Sequence, residues 1–275
     1  YHNPDDYVCL VTKDINMRLK AKGSGLRHVE DYRREKILDD IDMLADGYDY
    51  IEGSFWDQVS NVETVREDGK TVHHLERTQF PEYFPNMFIH DDEDFVGIVE
   101  GAASDSIAIR DLNRERLMHQ DLWGLKPRNL QQAMACHLLR SPDIDLTIIT
   151  GPAGSGKTLL ALAAGLQAII EDKQYSKLIV ARSTPPIAEE IGFLPGTEEE
   201  NMAPWLAAFD DNLEILHSGD ESPVGSMSYV KEKANIQFKT LSFMRGRSIN
   251  NAYVIIDESQ NLTQFQLKSI ITRVG

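Results

Sequence analysis

The order of apolar and polar residues divides the chain into three stretches, and the first of them predicts an α/β segment. The run from Tyr7 to Thr12 is typical of a short buried strand, and the charged run from Lys13 to Ala21 predicts the helix after it. Gly23 and Gly25 then interrupt the pattern. A further charged helix is predicted from apolar residues that recur at steps of three or six residues, namely Val29, Tyr32, Leu38, Ile41 and Leu44.

The second stretch, from Gly47 to about Asn113, consists of short alternating runs separated by turns. The predicted strands are Tyr48 to Ile51, Val59 to Val65, Lys70 to Leu75, Asn86 to Ile89, Phe95 to Val99 and Ile107 to Ile109. Asp68 and Gly69 form the kind of pair that favours a type I′ hairpin. This spacing predicts a small antiparallel sheet or barrel.

Two polar clusters in this stretch have both a metal-binding and a structural interpretation. His73 and His74 could bind a metal, but neighbouring strand residues point to opposite faces, so we expect one packed and one solvated histidine. The acidic run from Asp91 to Asp94 could attract a cation, and we interpret it as a solvated turn.

The third stretch alternates strands with helices, a pattern that indicates a mostly parallel sheet. Two helices come first: a linker from Asp111 to Trp123, with Arg114 and Arg116 exposed, and a second helix that opens at Lys126 to Gln132 and ends near Arg140. The predicted buried strands are Leu146 to Thr150, Lys177 to Arg182 and Ala252 to Ile256. A helix is predicted from Leu159 to Glu171. A second helix is predicted to place five residues in the core, namely Trp205, Leu206, Phe209, Leu213 and Leu216. A closing helix from Gln264 to Arg273 is predicted to pack through Phe265, Leu267, Ile270 and Ile271.

Composition narrows the class of protein. The 275 residues suffice for two ordinary domains, and a hydrophobic fraction of 41% is that of a soluble globular protein. No apolar run reaches the ~18 residues of a membrane span, and the polar start lacks the pattern of a signal peptide. Two distant cysteines predict a reducing, cytoplasmic compartment. The net charge of −16 argues against bulk binding of nucleic acid but leaves room for a local basic channel.

The strongest chemical signal is the segment GPAGSGKT, from Gly151 to Thr158. It fits the G-x-x-x-x-G-K-[ST] pattern and stands between a predicted strand and a predicted helix, as a phosphate-binding loop requires. Glycines allow successive backbone N–H groups to surround phosphates at the positive end of the helix dipole. We therefore predict ATP binding by Gly151, Pro152, Ala153, Gly154, Ser155, Gly156, Lys157, Thr158 and Leu159, with Lys157 on the β- and γ-phosphates and the Thr158 hydroxyl on Mg²⁺.

A second signal, VIIDESQN from Val254 to Asn261, supplies two acids at the end of a predicted buried strand. Ligands of open α/β folds bind at this carboxyl edge of the sheet. Asp257 is expected to hold Mg²⁺, usually through water, and Glu258 to orient and polarise the attacking water.

Several side chains have two interpretations that spacing alone leaves open. Gln132 and Asn129 could read the adenine edge, since an amide offers both a donor and an acceptor, or Asn129 could simply cap the helix. Arg245 and Arg247 could stabilise charge on the γ-phosphate, hold nucleic acid or form salt bridges. The strand that ends at Arg182 continues into Ser-Thr-Pro-Pro, which suits either a phosphate site or a stiff exit turn.

Taken together, these segments resemble the PhoH-like family of P-loop ATPases, relatives of superfamily-1 helicases. The resemblance covers about residues 126–275 and is carried by RNLQQ, GPAGSGKTLLALAAGL, IGFLPGTEEE, MAPW, RGRS, IIDESQNLT and KSIITRVG. It implies that Gln132 lies near adenine, and that Lys157, Thr158, Asp257 and Glu258 act on phosphate, Mg²⁺ and water. It further implies that Gln260, Arg245 and Arg247 couple the nucleotide to nucleic acid. Asn201 departs from the family pattern, where a lysine is expected.

The N-terminal run VCLVTKDINMRLKAKGSGL resembles the later part of a PIN nuclease domain. That resemblance implies that Asp14 is one of the acids that bind Mg²⁺ or Mn²⁺, helped by Asn16, whereas the residues alone also allow an N-cap. The earlier PIN acids and the family's later G-D-x-x-Q element are missing, so we expect a fragment with an incomplete ATPase sheet that does not act as a nuclease by itself.

The sequence thus predicts three regions: residues 1–46, the end of a PIN-like domain; residues 47–125, a small β-rich region; and residues 126–275, a P-loop ATPase of α/β class. The expected function is Mg²⁺-dependent ATP hydrolysis coupled to RNA unwinding or to feeding single-stranded RNA into a PIN ribonuclease. A homo-oligomeric ring is a possible assembly. One alternative is a nucleotide-gated scaffold without turnover. A small-molecule kinase is another, and the acid pair with Gln260 argues against it.

Overall fold

The computed structural model describes residues 9–11, 15–26, 28–30, 46–182, 210–212, 227–240 and 249–272. The chain divides into two compact units, Tyr1–Ala45 and Asp46–Gly275. Within the described residues, no helix combines the length and the apolar character that crossing a membrane requires.

The first unit contains a strand–helix–strand arrangement. Its elements are β1 (Cys9–Val11), α1 (Ile15–Gly23) and β2 (His28–Glu30), and the two strands pair in parallel. Val29 pairs with Leu10 across the strands, so the prediction that Val29 begins a helix is wrong. Strand pairing has overridden a helical spacing that was defined by only a few residues. Asp14, Tyr32, Leu38, Ile41 and Leu44 lie outside the described residues.

The second unit begins with a six-stranded mixed sheet. Its strands are β3 (Tyr48–Ile51), β4 (Glu63–Glu67), β5 (Lys70–Glu76), β6 (Phe88–Asp91), β7 (Val96–Ala102) and β8 (Ser106–Asp111), in the order β3-β6-β7-β8-β5-β4. β3 and β6 are parallel and the other pairs are antiparallel. The predicted hairpin is confirmed, since Glu67 pairs with Lys70 and both Asp68 and Gly69 have positive φ. The one-turn helix α2 (Phe55–Gln58) occupies a region in which no helix was predicted.

One face of this sheet encloses an aromatic core. Phe55 stacks on Phe95, and His73 meets the edges of Trp56 and Phe95. His73 is buried and its pKa is lowered, chiefly by burial, while His74 is partly exposed. The expectation of one packed and one solvated histidine is therefore confirmed for the packed member, His73, whereas His74 is only partly exposed. Among the described residues, no group of three or more His, Cys, Asp or Glu side chains is arranged to hold a metal.

Asp91 corrects the prediction of a solvated acidic turn, because its side chain is only 1% exposed. The carboxylate accepts hydrogen bonds from the backbone N–H groups of Phe55 at 2.9 Å, Phe95 at 3.0 Å and Glu93 at 3.1 Å. A charge run suggests solvent exposure, but these three donors compensate the burial of this carboxylate. Asp92 to Asp94 are exposed as expected.

Helix α4 (Leu130–Arg140) lies between the six-stranded sheet and the helix that follows the glycine loop. On one side, Ala133 and Met134 pack with Phe88, Val96 and Ile98 of the sheet. On the other side, Cys136 packs with Leu160 and Ala163 of α5 (Lys157–Leu166). The short helix α3 (Arg114–Met118) precedes α4 and is smaller than the predicted linker helix; Arg114 is partly buried and Arg116 is exposed.

A three-stranded parallel sheet completes the described fold. Its strands are β9 (Lys177–Arg182), β10 (Ile236–Thr240) and β11 (Ala252–Asp257), in the order β10-β9-β11. α5 is followed by a π-helical turn, Gln167–Glu171, and packs against β9 and β11 at Gly165, where an added Cβ would approach Leu178 Cδ1 to 2.8 Å. α6 (Met227–Lys233) precedes β10, and α7 (Gln264–Ile271) follows β11. The predicted α/β fold with a mostly parallel sheet is confirmed in its coarse form.

Two predictions in this region are wrong. Leu146 to Thr150 is not a strand, and Ile148 is 73% exposed; among the described strands, none pairs with this segment. α7 was expected to pack through four apolar residues, but Ile270 is 4% exposed whereas Phe265 is 72% exposed and Leu267 and Ile271 are also exposed. Helical spacing identifies residues that share a face, but it does not say whether anything covers that face. The predicted turn at Ile191 to Gly196 and the helix around Trp205 lie outside the described residues.

Candidate active site

The glycine loop connects the irregular segment before Gly151 to helix α5. Gly151, Gly154 and Gly156 have φ values of 151°, 77° and 87°, which side chains with a Cβ rarely adopt. Gly156 is the N-cap of α5, so the free N–H groups of the first helical turn lie next to the loop. Pro152 and Ala153 are exposed, and Ser155 and Leu159 are half-buried. The loop therefore has the backbone conformation that the glycine spacing predicted.

The side chain of Lys157 turns back over this loop. Its Nζ donates to the carbonyl oxygens of Gly151 and Pro152, each at 2.8 Å, and lies 3.5 Å from Ser155 Oγ. These acceptors hold the ammonium group across the mouth of the loop. A cation at this point is suited to attract the phosphates of a nucleotide.

Thr158 and Asp257 meet although 99 residues separate them in the sequence. The Thr158 hydroxyl donates to Asp257 Oδ1 at 3.3 Å, and both side chains are half-buried. α5 supplies the threonine from its first turn, and β11 supplies the aspartate from its last residue. A hydroxyl and a carboxylate are oxygen ligands of the kind that Mg²⁺ uses together with substrate phosphates. The two sequence signals thus converge at one edge of the parallel sheet.

Glu258 follows Asp257 in a left-handed conformation, with φ of 54°. Its carboxylate oxygen Oε2 accepts a hydrogen bond from Gln260 Nε2. Ser259–Asn261 forms a short 3₁₀ turn that places Gln260 beside Glu258. Non-glycine residues in this conformation are strained, and such residues cluster at functional sites.

Gln132 joins the start of α4 to the glycine loop. Its Nε2 donates to the Ser155 carbonyl oxygen at 3.1 Å, and its Oε1 accepts from the Arg128 N–H at 2.8 Å. Asn129 is the N-cap of α4, since its Oδ1 accepts from the Gln132 N–H at 2.9 Å. Capping, one of the two interpretations of Asn129, is therefore present. The contact between Gln132 and Ser155 was not expected from the sequence, where the two residues are 23 positions apart.

The structure brings most of the predicted site residues together, and three others lie outside the residues that it describes. Gln132, Lys157, Thr158 and Asp257 are linked by the contacts above, and Glu258 follows directly in the chain. Asp14, Arg245 and Arg247 lie outside the described residues. Arg182 pairs with Asp257 in the register of β9 and β11, which places its backbone at the same edge of the sheet.

Comparison with known proteins identifies the family of the chain. The sequence model of the family described as PhoH-like protein matches residues 124–275, more than half of the 275-residue chain. The chain belongs to the PhoH-like family. The resemblance inferred from the motifs is thereby confirmed, and the α/β fold is that of a P-loop NTPase.

Curated PhoH-like relatives match almost the whole chain. Protein PhoH2 of Bacillus subtilis (strain 168) is 36% identical over 274 residues, which cover 98% of this chain and 59% of the relative. Protein PhoH2 of Thermobispora bispora is 30% identical over 275 residues, which cover 98% and 57%. A PhoH-like protein of Bacillus subtilis (strain 168) is 27% identical over 277 residues, which cover 100% and 73%. The chain therefore spans somewhat under three fifths of the length of the two PhoH2 proteins.

PhoH-like proteins are in general ATP-binding proteins of the ATPase class, and that activity is a prediction for the present chain. The roles of individual residues in that activity, the PIN character of residues 1–46 and any nucleic-acid partner remain predictions.

Proposed function

We propose that this protein binds ATP with Mg²⁺ at the glycine loop and hydrolyses it. The observation that carries the proposal is the 3.3 Å contact between the Thr158 hydroxyl and Asp257, because it joins the two sequence signals into one site. The carbonyl-held Lys157 ammonium and the free N–H groups at the start of α5 lie on the same loop. The ammonium and N–H groups can bind phosphate, and the oxygens of Thr158 and Asp257 can bind a metal.

In the proposed reaction a water oxygen attacks the γ-phosphorus of ATP, and the bond to the bridging oxygen breaks to release ADP and phosphate. Lys157 and the backbone of Gly151 to Thr158 hold the triphosphate, and Glu258 orients the water and takes up its proton. Gln260, which donates to the Glu258 carboxylate, keeps that carboxylate in place. Thr158 and Asp257 would hold Mg²⁺, which neutralises charge on the phosphates when it is bound.

Two substitutions test the proposal in the intact protein. Lys157→Ala is expected to weaken ATP binding, whereas Glu258→Gln is expected to keep binding and to lower phosphate release about 10²-fold or more, the usual effect of losing a positioned acid or base. Lys70→Ala and Glu82→Gln serve as controls, since both side chains are exposed in the six-stranded-sheet region. Full phosphate release by Glu258→Gln would refute the role of Glu258.

The same measurements separate the proposal from its rivals. Wild-type protein that binds ATP and assembles without releasing phosphate would be a nucleotide-gated scaffold. Phosphate release only in the presence of a small-molecule acceptor would indicate a kinase. Release without an acceptor, lost in Glu258→Gln, supports hydrolysis.

We further infer that ATP hydrolysis moves single-stranded RNA toward a PIN ribonuclease domain. The support is the resemblance, in which Arg245, Arg247 and Gln260 connect nucleotide and nucleic acid and Asp14 is a PIN acid. The net charge of −16 restricts such binding to a local basic surface. Single-stranded RNA is expected to raise ATP turnover of the intact protein more than duplex DNA does, and Arg245→Ala with Arg247→Ala to remove the difference. Absence of both stimulation and salt-sensitive RNA binding would contradict this part.

A further inference from the structure

The amide of Gln132 is engaged at both ends by backbone groups of the site. Nε2 donates to the carbonyl of Ser155, inside the glycine loop, and Oε1 accepts from the N–H of Arg128, in the segment before α4. An added Cβ at Gly156 would lie 3.4 Å from Nε2, so the amide leaves only van der Waals room at the loop residue after Ser155. These contacts fix the orientation of the amide plane, because its one oxygen and its nitrogen are held from opposite sides.

The helix that carries Gln132 is itself firmly held. Asn129 caps its first turn at 2.9 Å from the Gln132 N–H. Ala133 and Met134 pack on the six-stranded sheet, and Cys136 packs on α5. Gln132 therefore projects from a helix that is packed on two sides, and a side chain on such a helix can hold a glycine-rich loop in one conformation.

The loop is the part of the site that needs such support. Three of its residues are glycines at positive φ, and glycine loses more conformational freedom on ordering than any other residue. Ser155 is held through its carbonyl by Gln132 and lies beside the Lys157 ammonium through its hydroxyl. Ser155 thus lies between Gln132 and the lysine that faces the phosphates.

We propose that Gln132 is a positioning residue for the glycine loop, and that it determines affinity for the triphosphate portion of the ligand rather than the choice of base. The inference rests on the proposed function, because it assumes that the loop binds a nucleoside triphosphate. It differs from the role of adenine reader that the family resemblance implies. A base reader changes discrimination between ATP and GTP when it is lost, whereas a loop brace changes the affinity for every triphosphate alike.

The test compares three ligands on the intact wild-type protein, Gln132→Leu and Gln131→Leu. The ligands are ATP, GTP and inorganic triphosphate, each with Mg²⁺, and the dissociation constants are measured by calorimetry. Gln131 is the matched control, because it is the preceding glutamine of the same helix and is exposed. Gln132→Leu is expected to bind all three ligands about fivefold more weakly, as the loss of one or two neutral hydrogen bonds predicts, with the ratio of ATP to GTP affinity unchanged. Gln131→Leu is expected to match the wild type.

A second variant separates the two ends of the amide. Gln132→Glu keeps an acceptor for the Arg128 N–H but loses the donor to Ser155 and brings a carboxylate toward the loop. Gln132→Glu is expected to weaken the binding of all three ligands more than Gln132→Leu does. Added salt should reduce this extra loss of affinity, because the loss is electrostatic. The melting temperature without ligand is expected to fall by no more than about 4 °C in both variants, the shift that the loss of one or two neutral hydrogen bonds produces in a protein of this size.

Three results would overturn the inference. The first is a changed ratio of ATP to GTP affinity with unchanged triphosphate binding, which would make Gln132 a base reader. The second is a weakened binding that accompanies a fall of more than about 4 °C in the melting temperature of the ligand-free protein, which would make Gln132 a residue of general stability. The third is unchanged binding of all three ligands. If wild-type protein binds no triphosphate at all, the proposed function fails instead, so the two failures are distinguishable.

Discussion

Asp91 and Asp257 each end a strand, one in the six-stranded sheet and the other in the parallel sheet, yet their surroundings differ. Asp91, the last residue of β6, is buried, and three backbone N–H groups donate to its carboxylate. Asp257, the last residue of β11, is half-buried and accepts from the hydroxyl of Thr158 on a different element. Asp91 binds backbone groups of the turn that follows it and of α2, whereas Asp257 contacts a residue of the separate glycine-loop motif.

This difference indicates how a structural acid can be told from a candidate metal-binding one. A carboxylate whose oxygens are occupied by backbone donors has its burial compensated and offers little to a ligand. A carboxylate at the carboxyl edge of a parallel sheet, beside a glycine loop and a lysine, retains oxygens for a metal. Sequence alone gives both the same description, an acid after an apolar run.

The largest expected effect belongs to Asp257. Asp257→Asn keeps the size of the side chain but removes the charge that would hold Mg²⁺, so we expect ATP turnover to fall about 10²–10³-fold, the range seen when a key electrostatic group is removed. The melting temperature without nucleotide is expected to stay near the wild-type value. Steady-state phosphate release and calorimetric unfolding measure the two quantities. A variant that unfolds more easily and hydrolyses ATP normally would reverse the assignment.

Asp91 should show the opposite pattern. Asp91→Ala leaves three backbone donors without their acceptor, and we expect the free energy of unfolding to fall by about 3 kcal/mol. Asp91→Asn retains one carbonyl oxygen and should cost about half as much. Asp94→Ala is the control, because Asp94 is exposed in the same turn and its loss is expected to stay within about 0.5 kcal/mol. Denaturant unfolding gives these values, and ATP turnover per folded molecule should not change in any of the three. An Asp91→Ala protein as stable as the wild type would contradict the structural role.

In both regions, features set by local sequence could be predicted, whereas features that depend on a distant neighbour could not. In the six-stranded sheet, turn chemistry such as Asp68-Gly69 is local, so the hairpin could be predicted without knowing the rest of the fold. In the parallel sheet, the glycine loop and the acid after β11 could be predicted because their chemistry requires a fixed order of residues. Leu146 to Thr150 could not be predicted correctly, because a strand needs a neighbour and apolar character alone does not supply one.

The contacts of the candidate site were less predictable than its residues. Gln132 was expected near the nucleotide, but its bond to Ser155 joins segments 23 residues apart and depends on how α4 packs. The exposure of Phe265 was missed for a related reason, because helical spacing shows which residues share a face but not whether another element packs on it. Asp91 was missed because charge runs are usually solvated, and the donors that bury it come partly from α2, which the pattern did not reveal.

A smaller effect is expected at Gly97, which lies against the aromatic core of the six-stranded sheet. A Cβ at Gly97 would lie 2.5 Å from Ile109 Cγ2 and 2.8 Å from Phe95 Cζ, so Gly97→Ala overpacks the aromatic core. We expect a loss of about 2 kcal/mol in the free energy of unfolding. Gly101→Ala, on the same strand, has no atom within 4 Å of the added Cβ and should be close to neutral. Denaturant unfolding of the two variants compares them directly, and equal stabilities would contradict the packing of this face.

The smallest expected effect concerns His137, on the helix that joins the two regions. Burial, with a further contribution from Arg110, lowers the pKa of His137 to about 4, and its ring meets the edge of Phe88 in β6. The folded protein therefore binds a proton at His137 less readily than the unfolded chain, whose histidine titrates near 6.5. The contribution of His137 to the free energy of unfolding is fully present above about pH 6.5 and falls as the pH is lowered toward 4.

At pH 5.5 we expect the wild-type free energy of unfolding to be about 1 kcal/mol lower than at pH 7.5 because of His137. His137→Phe should remove this loss. His119→Phe, a substitution at an exposed site, should show the same loss as the wild type. His73 and His90, whose pKa values burial also lowers, add to the loss with the same sign in all three proteins, so the difference between His137→Phe and wild type isolates one residue. If that difference does not depend on pH between 5 and 7, the pKa of His137 is not lowered at the contact between α4 and the six-stranded sheet, and the prediction is wrong.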